Sequence, residues 1–185
     1  MTTRALIDAN VIVQGWTIDL LLCMAEDELF APAWSERILS EACQAICRVR
    51  ACPAESARKV TQVMCAAFPD ATVCGWEAAE KRFELPDPDD RHVAAAALVG
   101  DCDTLVTFNT RDFPPSAMAP AGIEVLDPDT FAMRMAQTDA DVVRDAVRRA
   151  VRGKRQPPRT MDQELAGLRR NGLVRFADWL GSALD

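Results

Sequence analysis

Short blocks of apolar residues alternate along this chain with longer stretches in which apolar positions recur every three or four residues. Ala5 to Ile7 is a compact apolar run ending at Asp8-Ala9-Asn10, which predicts a buried strand. Val11, Ile12, Trp16, Leu20 and Met24 then repeat at helical spacing, predicting a helix over 11–25. Leu29-Phe30-Ala31 before Pro32 reads as a brief second strand. Ser35 is placed to cap a helix running to about Arg50, and Pro53 suits the first turn of the next, which lasts to Phe68-Pro69. Residues 71–74 predict a strand and residues 77–83 a short helix. Pro86-Asp87-Pro88-Asp89-Asp90 is a turn into an alanine-rich helix that Gly100 stops. Thr104 to Thr107 and Ile123 to Leu126 predict two further strands, with a helix from about Asp129.

Strands alternating with helices predict an α/β fold, a central, mostly parallel sheet covered on both faces. The pattern changes near Thr138. Residues 139–152 form a charged helical stretch, 153–159 with Pro157-Pro158 a break, and 160–184 a second helical stretch interrupted at Asn171-Gly172. The expected organisation is a domain over 1–137 and a helical C-terminal extension over 138–185.

Composition sharpens this picture in four ways. An apolar fraction of 49% and a charged fraction of 26% are ordinary for a globular protein. No apolar run approaches the roughly 18 residues that span a bilayer, and the start lacks a signal-peptide layout, so the expected location is the cytoplasm. Seven cysteines without a C-x-x-C pair read as buried, reduced thiols; Cys43 and Cys47 could share a helix face, but the lone His92 lies far from them in sequence. The net charge of −7 divides unevenly, −10 over residues 1–137 and +3 over 138–185. That split argues against phosphate binding by a broad basic surface in the larger part.

The acidic residues carry the candidate chemistry. In an open parallel sheet, ligands bind beyond the carboxyl ends of the strands. Asp8 closes the first strand there, and Asn109 and Asp112 follow the 104–107 strand at the same end. Asp89 and Asp90 join them if their helix crosses the sheet, as Val93, Ala94, Ala97 and Leu98 suggest; Asp101 and Asp103 then fall at the opposite end as turn residues. Glu41 borders the apolar arc Ile38, Ala42, Ala45, Ile46 and Val49, a place equally suited to a solvated flank residue. Converging carboxylates repel unless a cation compensates them, and hard divalent ions such as Mg²⁺ prefer oxygen ligands. Without a glycine-rich phosphate loop, and with one histidine, metal-assisted hydrolysis is the economical chemistry.

Four segments also resemble a known family. Leu6-Ile7-Asp8-Ala9-Asn10-Val11 resembles the opening strand of PIN domains, Ser35 to Glu41 their acidic helix, Asp89 to Ala96 the aspartate opening a later helix, and Thr107 to Pro114 their strand-end loop. The resemblance covers roughly residues 4–137. It implies a PIN-like three-layer sandwich and a Mg²⁺- or Mn²⁺-dependent endoribonuclease of the VapC toxin type. It carries the metal-site role onto Asp8, Glu41, Asp90 and Asp112, with some relatives having Asp where Asn109 stands. It further implies a cognate antitoxin as partner, and homodimers are common in the family.

Around that core, Asn10 and Thr107 are placed to hydrogen-bond the carboxylates, while Asp87 and Asp89 suit turn or capping roles equally well. His92, two residues past Asp90, reads as a surface or packing residue. Arg144, Arg148 and Arg152 recur every four residues as a basic stripe that could be a solvated face, grip RNA phosphates, or dock an acidic partner including the protein's own body. Trp179 is expected to anchor the tail. Two rivals stand: a haloacid-dehalogenase-type phosphohydrolase, which would need an acid where Asn10 stands and a well-placed lysine, and a PIN-like module that binds RNA or protein without cutting.

Overall fold

The computed structural model describes residues 2–154 and 159–182. The expected break at Pro157-Pro158 and the last residues of the expected tail helix lie outside the described residues. Five strands, β1 (Arg4–Ile7), β2 (Ala31–Ser35), β3 (Thr72–Val73), β4 (Thr104–Val106) and β5 (Glu124–Leu126), form one sheet in the order β3-β2-β1-β4-β5. Every pairing is parallel. The helices are α1 (Ala9–Ile12), α2 (Gly15–Glu26), α3 (Glu36–Arg50), α4 (Ala54–Ala67), α5 (Arg91–Val99), α6 (Pro115–Met118), α7 (Pro128–Thr138), α8 (Ala140–Gly153), α9 (Met161–Arg170) and α10 (Val174–Ser182).

Passing from β1 to β2 moves one way across the sheet, and from β3 to β4 the other way. Right-handed crossovers therefore put α2 and α5 on opposite faces. The reversal falls between β1 and β4, and a crevice opens where the connections diverge. Asp8 ends one of these two strands and Thr107 the other.

Several local differences from the expected elements have physical reasons. The second strand runs through Pro32 rather than stopping before it. The Ala31 amide donates toward β1, to the Thr3 carbonyl at 2.8 Å, so the nitrogen of Pro32 faces the other edge. There β3 pairs only with Trp34 and Ser35, so the missing N–H costs no ladder bond. The helix expected over 11–25 is two, because Gln14 leaves the helical region (ψ 88°), which lets α1 pack on α3 and α2 on α8. The helix expected over 77–83 is a 3₁₀ turn, Glu77–Arg82.

Caps were more legible. The Ser35 hydroxyl accepts from the Ile38 amide at 3.2 Å, and Glu36 and Arg48 match the dipole of α3 at its two ends. Pro53 stands just before α4 rather than in its first turn. The turn at Asn171-Gly172 is present, with Gly172 at φ +88°.

The core is built on Trp34, Phe30 and Phe131, the last two edge-to-face at 4.9 Å. In α5, Val93 through Ala97 are all buried, because the sheet lies on one side and the 77–82 turn on the other. The cysteines depart from expectation: of seven free thiols only Cys102 is buried, Cys74 is exposed and the rest are half-buried. Among the described residues, no helix is long and apolar enough to cross a membrane.

The C-terminal helices are sewn onto the body by specific polar contacts. Asp129 of α7, nearly buried, accepts from the Arg175 and Phe176 amides at 3.1 and 2.8 Å and so caps α10 from another element. Arg149 of α8 pairs with Asp27, and Lys154 with Asp19, both in or beside α2. Trp16 of α2 lies under the Arg159 guanidinium at 3.3 Å and directly against Gly167 of α9. Trp179, expected to anchor the tail to the body, packs on Phe176 of its own helix and beneath Arg144 of α8, contacts within the extension itself.

Candidate active site

Asp8 follows β1 with an extended backbone (ψ 154°) that ends the strand and starts α1. Its side chain is only 7% exposed. One oxygen, Oδ2, accepts from Asn10 Nδ2 at 2.7 Å and from the Thr107 hydroxyl at 2.7 Å. Asn10 also donates to Thr107 Oγ1 at 2.9 Å and accepts the Phe108 amide at 3.1 Å. Thr107 Oγ1 in turn accepts the Asn109 amide at 3.0 Å. The ends of β1 and β4 are thus clasped through Asp8. Burial pushes the Asp8 carboxyl above its ordinary value, and the charge of Glu41 adds to this against hydrogen bonds from Thr107 and the Ala9 amide.

Asp90 is the residue on which α5 begins, beyond a 3₁₀ turn over Pro88–Asp90 that Asp87 caps by accepting from the Asp89 amide. Its carboxyl is pushed up to about 6, by burial first and then by the charges of Asp8, Asp87 and Asp112. A helix N-terminus favours a carboxylate by roughly 0.3–1 kcal/mol. Burial and repulsion overcome that preference. Asp112 ends the 3₁₀ turn Thr110–Asp112 after β4, its amide bonded to the Asn109 carbonyl at 3.0 Å.

Glu41 comes from α3. Its Oε1 receives Arg37 Nε at 3.2 Å and His92 Nε2 at 3.1 Å. Burial alone would raise this carboxyl, but His92 and Arg37 together hold it below its ordinary value. His92 is 2% exposed, packed against Trp76 with ring centroids 5.9 Å apart. Its contact with Glu41 was missed by sequence reasoning. A helical wheel cannot relate Asp90 to His92, since Asp90 precedes the helix.

The four acids proposed from sequence therefore sense one another: Glu41 acts on Asp8, and Asp8 and Asp112 act on Asp90. Among the described residues, no three Asp, Glu, His or Cys side chains stand close enough together to hold an ion jointly. The donor set nonetheless fits a hard divalent ion: every donor is a carboxylate oxygen, and a cation would relieve the repulsion that raises Asp90. Asn10 and Thr107 touch Asp8 through their side chains, whereas Asn109 reaches Thr107 through its backbone amide. Arg144 is tied to Asp141 at 2.5 Å and lies over Trp179; Arg148 pairs with Asp145 at 3.1 Å; Arg152 is exposed.

The strain on Asp90 has a measurable consequence. Its folded pKa lies above the ordinary 3.8, so its contribution to stability is full below that value and is lost as pH rises through about 6. Solvent screening at this partly exposed site reduces the effect to about 1 kcal/mol. Between pH 4 and 7.5, EDTA-treated protein should therefore lose about 2–4 °C more in Tm than Asp90→Asn does. Identical pH dependence in the two proteins would remove Asp90 from the strained cluster.

Residues 4–111 match a family model described as PIN domain, and residues 128–182 one described as VapC50 C-terminal domain. No curated protein and no solved structure matches the chain.

Proposed function

We propose, from the premise that this chain belongs to the PIN-domain family and carries the C-terminal part of a VapC-type toxin, that it is a Mg²⁺-dependent endoribonuclease. PIN domains are generally nucleases, and membership displaces the haloacid-dehalogenase alternative. Of the three lysines, Lys154 pairs with Asp19 and Lys59 with Glu55.

The observation carrying the reading is the buried Asp8, clasped by Asn10 and Thr107 at the point where the strand order reverses. Asp8, Asp90, Asp112 and Glu41 would hold Mg²⁺, with Mn²⁺ as its substitute. The bound ion would supply an activated water and charge stabilisation at the phosphodiester. Asn10 and Thr107 fix the Asp8 carboxylate, so the site is preorganised on two adjacent strands. Asp90, readily protonated near pH 6 without an ion, would give up that proton as the ion binds.

Of the arginine stripe, Arg148 and Arg152 face solvent and are the residues we assign to RNA phosphates, with Arg144 held against Trp179. The division between nuclease domain and extension is kept in this reading at 137/138, beside the end of α7 and the Asp139 cap of α8, although the C-terminal family match begins already at residue 128. The partners in this reading are RNA, a cognate antitoxin lying across the cleft as an amphipathic segment, and a second copy in a homodimer, all in the cytoplasm.

The test is cleavage of a panel of structured and single-stranded RNAs. EDTA should abolish cutting, and Mg²⁺ or Mn²⁺ should restore it. Cleavage indifferent to EDTA would sink the metal-dependent reading. RNA binding without cutting of any substrate would favour the non-catalytic module.

A further inference from the structure

His92 is one of the most thoroughly enclosed polar groups in the molecule. It stands in the first turn of α5, 2% exposed and packed against the Trp76 ring. Its Nδ1 is buried and has no hydrogen-bond partner among the described residues. The single polar contact of the ring is therefore Nε2 to Glu41 Oε1, at 3.1 Å. Rotating the ring away would give up this one contact, so packing and the Glu41 carboxylate favour one orientation.

Glu41 is held differently. Its side chain is 38% exposed, and its other partner, Arg37, is itself 42% exposed and shared with Glu80 at 3.4 Å. Arg37 is a long side chain whose hold solvent weakens. His92 is the fixed point. Both donors reach Oε1, and Oε2 has no partner among the described residues.

We infer that His92 is a positioning residue. By donating from Nε2 it pins Glu41 through Oε1 and leaves Oε2 as the one oxygen available to a divalent cation. This rests on the reading of Glu41 as part of the metal site. It accounts for a buried histidine with one orphaned nitrogen, which a leucine would replace at no polar cost if packing were its only task. It also gives Glu41, on a surface helix, the fixed geometry that Asp8 obtains from Asn10 and Thr107.

Mn²⁺ titration of the full chain, followed by calorimetry, tests this without RNA. His92→Leu keeps the bulk and removes the donor; His92→Gln keeps a donor at comparable reach. Mn²⁺ affinity should fall about tenfold in His92→Leu and largely recover in His92→Gln. The double variant His92→Leu with Glu41→Gln should bind no more weakly than Glu41→Gln alone, since His92 acts through Glu41. Unchanged affinity in His92→Leu, independent losses that multiply in the double variant, or wild-type binding indifferent to Glu41→Gln would each overturn the assignment. A lowered Tm with full Mn²⁺ affinity would mark a packing role only, also against it. The nuclease reading fails separately: Mn²⁺ binding that follows this pattern, in a protein that cuts no RNA, leaves the positioning role intact.

Discussion

Replacing Asp8 by asparagine is expected to lower RNA cleavage about 10³-fold or more, equivalent to about 4 kcal/mol of lost transition-state stabilisation. The substitution preserves shape, and an amide oxygen can still accept from Asn10 and Thr107. What disappears is the negative charge at the end of β1, where a divalent ion would be held. Stability should move the other way or stay level. Burial and the Glu41 charge raise the Asp8 carboxyl, so the wild-type anion is held against a penalty that asparagine escapes. Loss of activity with an undiminished Tm is thus the signature of a site residue rather than of misfolding. Cleavage within tenfold of wild type would remove Asp8 from the site.

The second large effect lies far from the carboxylates in sequence. A Cβ on Gly167 would stand 2.3 Å from carbons of the Trp16 ring, too close for any real contact. Gly167→Val should therefore force α9 off α2, at a cost of about 3 kcal/mol from overpacking, against roughly 0.5 kcal/mol returned by replacing a helical glycine. A fall in Tm of about 5–10 °C is expected, read by circular dichroism, with altered Trp16 fluorescence. A Tm within a degree of wild type would show that α9 docks without this contact. The effect should reach the site. Gly172, in the turn after α9, lies where an added Cβ would meet the Phe108 ring at 3.5 Å, and the Phe108 amide is held by Asn10, the residue that clasps Asp8. A loosened α9 should therefore lower cleavage in step with stability.

The contrast between Asp8 and His92 shows how much of the site could be read from residue order. Asp8 and Asp112 were placed by a rule about strand ends that needs only the apolar runs before them. Asp90 needed one further step, that its helix crosses the sheet, and α5 does so between the parallel strands β3 and β4, packed on β1, β2 and β4. Glu41 could not be separated from a solvated flank residue, because its partners come from Arg37 one turn earlier and from His92 on α5. His92 read as bland because a wheel describes one helix at a time, while its ring is defined by three elements. The cysteines failed for a related reason: composition suggested burial, but positions such as Cys74 lie in surface segments.

Residue order by itself determined the alternation of strands and helices, the cap at Ser35, the turn at Gly172 and the carboxylates that close strands. Each depends on neighbours within a few positions, whose chemistry acts locally through backbone hydrogen bonds and apolar period. Tertiary structure alone decided the strand order that opens the crevice between β1 and β4, the passage of β2 through Pro32, and the pairing of His92 with Glu41. It also decided that Arg149 and Lys154 bind the body rather than solvent. These depend on groups up to 135 residues apart, Lys154 and Asp19 among them, meeting across packed surfaces. Such meetings are set by crossover handedness and close packing, and no local pattern encodes them.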